Sequence, residues 1–256
     1  MSTNLKSFCI GHALPLFKPP IAYEMLCPKS LGVPNEIVVD DHRFGVGIDG
    51  GALAEYSQFF GLHDMLLYGD VVAEHLFLFQ YRKFISTQVG GVESASPWVR
   101  VVRPDPAPGL FPSQDQLNAF SGRLAVGSVF DFGESIASNY ALVHVIDDFV
   151  LFAAACAQSG ALSNADIKSF ATLRGIIPSP SVCCIHVDVF IKIMDILRRV
   201  WNIYVLHYQT KRDGYQRRVS GYLLERLHSY LLCKWLLDNT EPHIQVWQRY
   251  VVTDAV

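Results

Sequence analysis

The sequence lacks an excess of charge of either sign. Only 18% of its 256 residues are charged, and the formal net charge is −3. Without a basic surplus there is no electrostatic reason to expect nucleic-acid binding. The sequence also lacks low-complexity tracts, and half of its residues are hydrophobic. Disorder is therefore excluded, and the length fits one large folded domain.

Apolar runs long enough to cross a membrane are missing as well. Two stretches, 141–157 and 219–237, are strongly apolar, but charged residues interrupt both of them: Asp147, Asp148, Glu225, Arg226 and Lys234. These interruptions favour buried helices over membrane spans. Residues 1–20 contain no basic segment followed by an apolar one, so no signal peptide is expected.

Several common site motifs are absent. None of the six cysteines forms a C-x-x-C pair, so we expect reduced core thiols in a cytoplasmic protein. No G-x-G-x-x-G or Walker loop follows the first predicted strand, and there is no G-x-S-x-G or H-E-x-x-H motif. Nucleophile-elbow hydrolases and motif-defined zinc enzymes are thereby disfavoured.

What the sequence does contain is an alternation of strand-like and helical patterns, which predicts an α/β fold. Strands are predicted at 6–10, 36–39, 75–79, 98–103, 124–130 and 182–186. Helices are predicted at 52–68, 134–158, 164–173, 188–207 and 214–238, with Ser163 and Asp166 capping the third. Proline-rich segments between 15 and 34 and between 104 and 112 are predicted as irregular loops. Residues 244–252 are either a strand or a tail.

Polar side chains follow the predicted strand 75–79, where the chain reads Gln80, Tyr81, Arg82 and Lys83. In open α/β sheets, ligands bind beyond the carboxyl ends of the strands. Two adjacent cations at that place can neutralise a diphosphate. The alternative is a solvated strand end with ordinary surface charges.

A second polar group, Tyr140, His144, Asp147 and Asp148, has the spacing of one helix face. A histidine with a carboxylate one turn away can bind or deprotonate a hydroxyl group. The alternative is a core histidine whose hydrogen bonds are satisfied.

A third group lies on the last predicted helix, where Arg218, Gly221, Glu225 and His228 share one stripe. A carboxylate on a mostly buried helix must be paired or functional. The alternative is a structural ion pair between Glu225 and either Arg218 or Arg226.

Three segments carry a resemblance to a known family. LAEYSQFFGL (53–62), HLFLFQYRKF (75–84) and YQRRVSGYLLERL (215–227) resemble motifs of the DUF4422 family of polysaccharide-biosynthesis glycosyltransferases. FCIGH (8–12) is similar to the family's first strand, and Tyr140, His144 and Asp147–Asp148 resemble its central element. The chain departs from the pattern at Gln80, where the family has histidine, at Gln58, where an acidic residue is usual, and at 180–184.

The resemblance implies a GT-A-like (Rossmann-like) α/β fold, with a mixed sheet flanked by helices and a helical C-terminal part. It implies a single domain, 1–256, in which 1–130 binds the nucleotide sugar and 131–256 forms a mostly helical acceptor side. The donor-binding residues that it implies are His12, Asp40, Asp41, Tyr81, Arg82, Lys83 and Arg218. Glu225 is the first choice as general base, with Asp147 and Asp148 second and His144 beside them. We infer that Arg82 and Lys83 take the place of the metal ion that many GT-A enzymes bind, so no metal or other cofactor is expected.

The implied activity is transfer of a sugar from a nucleotide-diphosphate sugar, a hexose or hexofuranose on uridine diphosphate, to a saccharide or lipid-linked acceptor. The implied setting is surface polysaccharide synthesis in the cytoplasm, at the inner face of the membrane. At most peripheral membrane contact is expected, and no nucleic acid. The alternatives are a non-catalytic binding or scaffold protein that retains the GT-A fold, and a nucleotide-sugar hydrolase acting through His144 and Asp147.

Overall fold

A mixed β-sheet forms the centre of the protein. The computed structural model describes residues 4–39, 50–238 and 244–254. Its strands in chain order are β1 (Leu5–Ile10), β2 (Glu24–Cys27), β3 (Glu36–Val38), β4 (His75–Gln80), β5 (Lys83–Ser86), β6 (Val92–Glu93), β7 (Arg100–Val102), β8 (Leu124–Gly127), β9 (Phe130–Asp131), β10 (Gly175–Ile176), β11 (Cys183–His186) and β12 (Ile244–Val252). The order in the main sheet is β3-β2-β1-β4-β11-β8-β12-β7-β6, with β5 pairing with β4 and β12. β9 and β10 form a separate two-stranded ladder.

Helices pack on this sheet. They are α1 (Gly50–Leu53), α2 (Tyr56–Tyr68), α3 (Ala107–Leu110), α4 (Gln114–Asn118), α5 (Ile136–Val143), α6 (Ile146–Gln158), α7 (Asn164–Thr172), α8 (Val187–His207) and α9 (Val219–Asp238), and a 3-10 turn (Gly214–Arg218) precedes α9. Among the described helices, none is both long and apolar enough to cross a membrane.

Strand β4 shows how the two faces of the sheet are filled. All six of its residues are buried. Leu76 and Leu78 belong to the larger core, which contains the long helices, whereas Phe77 and Phe79 belong to a second core on the opposite face. Because successive side chains of a strand point to opposite faces, a continuous apolar run is what a strand covered on both sides requires.

The first four strands in the order of the sheet set the position of the site. β3, β2, β1 and β4 are mutually parallel, and the chain leaves β1 towards β2 on one side while β4 lies on the other. The order therefore reverses between β1 and β4. In open α/β sheets, such a reversal leaves a crevice at the carboxyl ends of the two strands, where ligands bind.

Two predicted helices are broken in the structure. The helix predicted at 52–68 is interrupted at Ala54, whose φ of +52° is left-handed. The helix predicted at 134–158 is interrupted at His144, whose backbone is extended. No proline or glycine marks either break. At the second one, His144 stacks on aromatic rings of Tyr215 and Tyr222, so tertiary packing overrides the local helical pattern.

The strand predictions also need correction. β2 lies in a segment predicted as irregular, and β5 follows a turn at Tyr81 and Arg82 that was predicted as a strand end. The proline-rich loop contains the short helix α3. The strands predicted at 98–103 and 124–130 are shorter than expected. The segment 244–252, for which strand and tail are both predicted as options, is a strand between β8 and β7.

The predicted capping box of Ser163 and Asp166 at the start of α7 is confirmed.

Both predicted parts of the domain contribute to one sheet. β11 and β12 belong to 131–256, yet β11 lies between β4 and β8, and β12 lies between β8 and β7. The second part is therefore helical except for these internal strands and the small β9–β10 ladder. The assignment of one part to the donor and the other to the acceptor stays a prediction.

Stability is expected to depend on pH through His228 on α9. Its side chain is buried beside the Tyr56 hydroxyl, 3.2 Å from Nδ1, and burial lowers the pKa of His228 to about 3. In the unfolded chain this pKa is about 6.5. The unfolded state therefore binds a proton that the folded state excludes, and stability that is present above pH 6.5 is lost as the pH falls towards 3. As the pH falls from 7 to 5, protonation of His228 in the unfolded state should lower the free energy of unfolding by about 2 kcal/mol.

The measurement is denaturant unfolding at both pH values for the wild type, His228→Gln and His207→Gln. His207 is exposed and provides the matched control. The loss between pH 7 and 5 should shrink in His228→Gln and stay unchanged in His207→Gln. An equal loss in all three proteins would contradict a buried, neutral His228.

Candidate functional site

A cleft of about 760 Å³ opens where β1, β2 and β4 end. Its lining comes from the segments that follow these strands, from the α1–α2 junction and from one face of α9. The residues that these elements contribute include His12, Lys29, Glu55, Arg82, Lys83, Arg218 and Glu225. The cleft therefore coincides with the reversal in strand order.

Cationic side chains outnumber carboxylates in the lining of the cleft. Lys29, Arg82, Lys83 and Arg218 all line it, and all but Lys83 are exposed. The Arg82 guanidinium carbon lies 5.4 Å from the centre of the Tyr81 ring. Guanidinium and ammonium groups grouped in this way are suited to hold the oxygens of a phosphate or diphosphate.

An aromatic pair joins the ends of β1 and β4. The rings of His12 and Tyr81 meet edge-on with their centres 5.2 Å apart. Gly11 permits this approach, because a Cβ there would lie only 3.2 Å from a ring carbon of Tyr81. The segments that follow the two strands are therefore packed together at the mouth of the cleft.

Ser179 connects a cation with a carboxylate. Its hydroxyl accepts a hydrogen bond from Lys83 Nζ at 3.0 Å, and its backbone N–H donates to Glu225 Oε1 at 3.3 Å. Ser179 lies between two prolines and has a φ of +50°. A left-handed conformation in a residue other than glycine costs about 1–2 kcal/mol, and such strain is found most often at functional sites.

A second carboxylate, Glu55, is held at the base of the cleft. Its Oε1 accepts hydrogen bonds from Gln80 Nε2 at 3.1 Å and from the Ser181 hydroxyl at 3.3 Å, and Gln80 Nε2 also donates to Ser181 at 3.1 Å. Gln80 and Ser181 are buried. Ala54, immediately before it, has a left-handed backbone, and Glu55 precedes α2 and lines the cleft without capping the helix through its side chain.

The residues predicted as site residues separate into three groups. Six of them line the cleft: His12, Tyr81, Arg82, Lys83, Arg218 and Glu225. Asp40 and Asp41 lie outside the described residues. His144, Asp147 and Asp148 do not line the cleft.

The His144 group lies behind the cleft wall. The His144 ring stacks on Tyr222, a lining residue, at 4.4 Å between ring centres, and burial lowers the pKa of His144. Asp148 is fully buried and forms a bidentate ion pair with Arg212 at 3.0 and 3.2 Å. Asp147 is exposed. Because of the helix break at His144, these residues do not share the single helix face that their spacing predicted.

Sequence reasoning missed Glu55, Gln58 and Lys29 as lining residues. For Glu55 a signal was present, since it is a lone carboxylate in a segment of apolar and aromatic residues that must be buried. Gln58 was noted only as a departure from the family pattern. Nothing in the sequence distinguishes Lys29 from an ordinary surface lysine.

No cluster of three or more His, Cys, Asp or Glu side chains in 4–39, 50–238 and 244–254 is placed to hold a metal ion. The cleft brings Glu55 and Glu225 together with four cationic side chains. Cationic groups can hold phosphate oxygens and carboxylates can accept hydrogen bonds from hydroxyl groups, so the cleft combines both capacities.

Comparison with known proteins shows the fold. No family model matches the chain, and no curated protein matches it in sequence. A solved structure, described as the apo structure of the bifunctional glycosyltransferase WbbM, is similar with a TM-score of 0.75 and 14% identity. The match covers 99% of this chain and 46% of that one, so this chain spans about half the length of WbbM. The chain therefore has a mixed α/β fold like that of a glycosyltransferase structure.

Close packing of α9 against the α1–α2 junction requires glycine at position 221. A Cβ on Gly221 would lie 3.0 Å from Ala54 Cβ and 3.2 Å from the Leu53 carbonyl oxygen. For Gly221→Ala, overpacking costs about 1–3 kcal/mol and helix propensity returns about 1 kcal/mol. We expect a net loss of about 1 kcal/mol in unfolding free energy.

The matched control is Gly109→Ala in α3, where a Cβ would meet no atom within 4 Å. The unfolding free energy of this variant, measured by denaturant unfolding, should equal that of the wild type or exceed it by up to about 1 kcal/mol, because helix propensity is gained without overpacking. If Gly221→Ala were as stable as the control, the close approach of α9 to Ala54 would be wrong.

Proposed function

We propose that the chain is a GT-A-like glycosyltransferase that moves a sugar from a nucleotide-diphosphate sugar to an acceptor hydroxyl group without a metal ion. The fold comparison supports glycosyl transfer at the level of fold, and the cleft supplies the chemistry. The observation that carries the proposal is that Arg82 and Lys83 face the same cleft as Glu225, at the reversal of strand order between β1 and β4.

In this proposal the cations bind the diphosphate of the donor. Arg82 and Lys83 lie at the carboxyl end of β4, and Arg218 approaches from the 3-10 turn that precedes α9. When the bond between the anomeric carbon and the diphosphate breaks, negative charge develops on the leaving oxygen. Fixed cations stabilise that charge as a divalent cation does in metal-dependent enzymes.

Glu225 acts as the general base. Its Oε1 accepts the N–H of Ser179, and within the described residues its Oε2 has no hydrogen-bond partner. Glu225 takes the proton of the acceptor hydroxyl, whose oxygen bonds to the anomeric carbon as the diphosphate leaves. Asp148 is already engaged by Arg212, so Glu225 is the better placed of the predicted carboxylates.

The remaining parts of the proposal come from the resemblance to the DUF4422 family. They are a hexose or hexofuranose on uridine diphosphate as donor, and a saccharide or lipid-linked acceptor in surface polysaccharide synthesis. The reaction takes place in the cytoplasm with at most peripheral membrane contact. The alternative, a scaffold protein with the same fold, is distinguished from the enzyme by binding measurements. The enzyme must bind a nucleoside diphosphate, whereas a scaffold needs no such affinity. The residues of the hydrolase alternative, His144 and Asp147, do not line the cleft.

Removal of a cleft cation should weaken diphosphate binding. We expect Lys83→Ala and Arg82→Ala each to raise the dissociation constant of UDP or GDP, whichever the wild type binds, about 10-fold to 100-fold. One charged hydrogen bond is worth about 1.5–3 kcal/mol. Lys168→Ala on α7 removes an exposed lysine away from the cleft and serves as the control.

Calorimetric titration in EDTA and in manganese measures both the effect and the metal requirement. Equal wild-type affinity in the two buffers is expected. Binding that appears only with manganese contradicts the metal-independent part of the proposal, and unchanged affinity in both cation variants contradicts the diphosphate site.

Replacement of Glu225 separates binding from turnover. Glu225→Gln keeps the side-chain volume and the acceptor for Ser179 but removes the base. We expect at least about a 100-fold fall in the rate of sugar transfer, with nucleoside diphosphate affinity within about twofold of the wild type. A radiolabelled transfer assay with Glu134→Gln as an exposed control measures the effect. Normal turnover of Glu225→Gln removes this residue from the role of base.

A further inference from the structure

The setting of Glu55 differs from that of Glu225. Both hydrogen bonds to Glu55 come from neutral groups, Gln80 and Ser181, and both end on Oε1. Within the described part of the chain, its Oε2 has no hydrogen-bond partner and no cation forms an ion pair with it. The carboxylate is therefore held in one orientation with one oxygen available to a ligand in the cleft.

Its position is also compatible with negative charge. Glu55 is the residue that precedes α2, and the N-terminus of a helix favours an anion. Gln58, one turn further along α2, is buried and lines the cleft beside it. The base of the cleft is thus polar, with buried Gln58 and Gln80 beside the half-buried carboxylate of Glu55.

The segment 179–181 relates Glu55 to the cation pair. Ser179 binds Lys83, and Ser181, two residues later, binds Glu55. Two residues of chain span at most about 7 Å, so the base of the cleft lies next to the cation that we assign to the diphosphate. In a nucleotide sugar, the sugar is attached directly to the second phosphate. A donor whose diphosphate lies at Lys83 therefore brings its sugar to this neighbourhood.

We propose that Glu55 binds hydroxyl groups of the donor sugar and restricts the donor to neutral sugars. This inference rests on the proposed function and deepens it. A carboxylate accepts strong hydrogen bonds from hydroxyl groups. It repels the carboxylate of a uronic acid, and such repulsion at close range excludes the wrong ligand.

Glu55 is less suited than Glu225 to act as the base. Two fixed donors already occupy one of its oxygens, whereas Glu225 accepts a single backbone N–H. In this proposal Glu55 binds the donor sugar, and Glu225 takes the proton of the acceptor hydroxyl group.

The experiment is calorimetric binding of three kinds of ligand with the same base: the nucleoside diphosphate alone, its hexose conjugates and its hexuronate conjugate. The sets are UDP with UDP-glucose, UDP-galactose and UDP-glucuronate, or GDP with GDP-mannose and GDP-mannuronate. The wild type should bind a hexose form at least about tenfold more tightly than the hexuronate. Glu55→Gln should change the affinity for the diphosphate without a sugar by no more than about twofold. It should weaken binding of the hexose form about tenfold or more, and it should reduce the difference in affinity between the hexose and the hexuronate forms. Glu134→Gln, the same charge change on the exposed surface, should change none of these.

Ser181→Ala is a second variant, because it removes one donor that orients Glu55 while leaving the carboxylate. It should weaken binding of the hexose form by a smaller factor than Glu55→Gln does, and it tests the inference if Glu55→Gln does not fold.

The inference is overturned if Glu55→Gln weakens binding of the diphosphate as much as binding of the hexose form, or if the wild type binds the hexuronate form as tightly as the hexose form. If the wild type binds neither UDP nor GDP, both the proposed function and the proposed sugar-binding role of Glu55 are contradicted. If the diphosphate binds and the variants leave hexose affinity unchanged, only the role of Glu55 is lost.

Discussion

The candidate site depends on the contact of Ser179 with both walls of the cleft. Its hydroxyl accepts from Lys83, and its N–H donates to Glu225. Ser179 makes both bonds from a left-handed backbone conformation between two prolines. A cation from the end of β4 and a carboxylate from α9 are thereby fixed on either side of one short segment. Two residues further on, Ser181 fixes Glu55 in the same way. The three residues 179–181 therefore fix the positions of Lys83, Glu225 and Glu55 in the cleft.

The sheet explains why this segment and these side chains meet. β1 and β4 are parallel neighbours with the reversal of strand order between them, and β11, which follows the 179–181 segment, pairs antiparallel with β4. The antiparallel direction brings the start of β11 to the carboxyl end of β4. Side chains from three distant parts of the chain therefore converge there. On the opposite wall, Gly221 lets α9 approach the α1–α2 junction closely, which positions Arg218 and Glu225.

How much of this the sequence predicted varies with the range of the interactions. β4, whose continuous apolar run is distinctive, and α7, with its capping box, were predicted well because their signals are local. Short β2 in a proline-rich segment and the breaks at Ala54 and His144 were not, because pairing and packing with distant residues decide them. The same holds for the site. The sequence predicted Arg82, Lys83 and Glu225, which the structure places in one cleft. The role of Glu55 depends on a left-handed turn and on Ser181, 126 residues away, and no local pattern indicates either.

The proposed transfer reaction requires that the diphosphate of a nucleotide sugar binds at the end of β4. The most direct measurement is a crystal structure of the protein with UDP or GDP bound. We expect phosphate oxygens in hydrogen-bond contact with Arg82 and Lys83, between His12 and Arg218. A nucleotide bound at another surface, with the side chains of Arg82 and Lys83 turned to solvent, would contradict it.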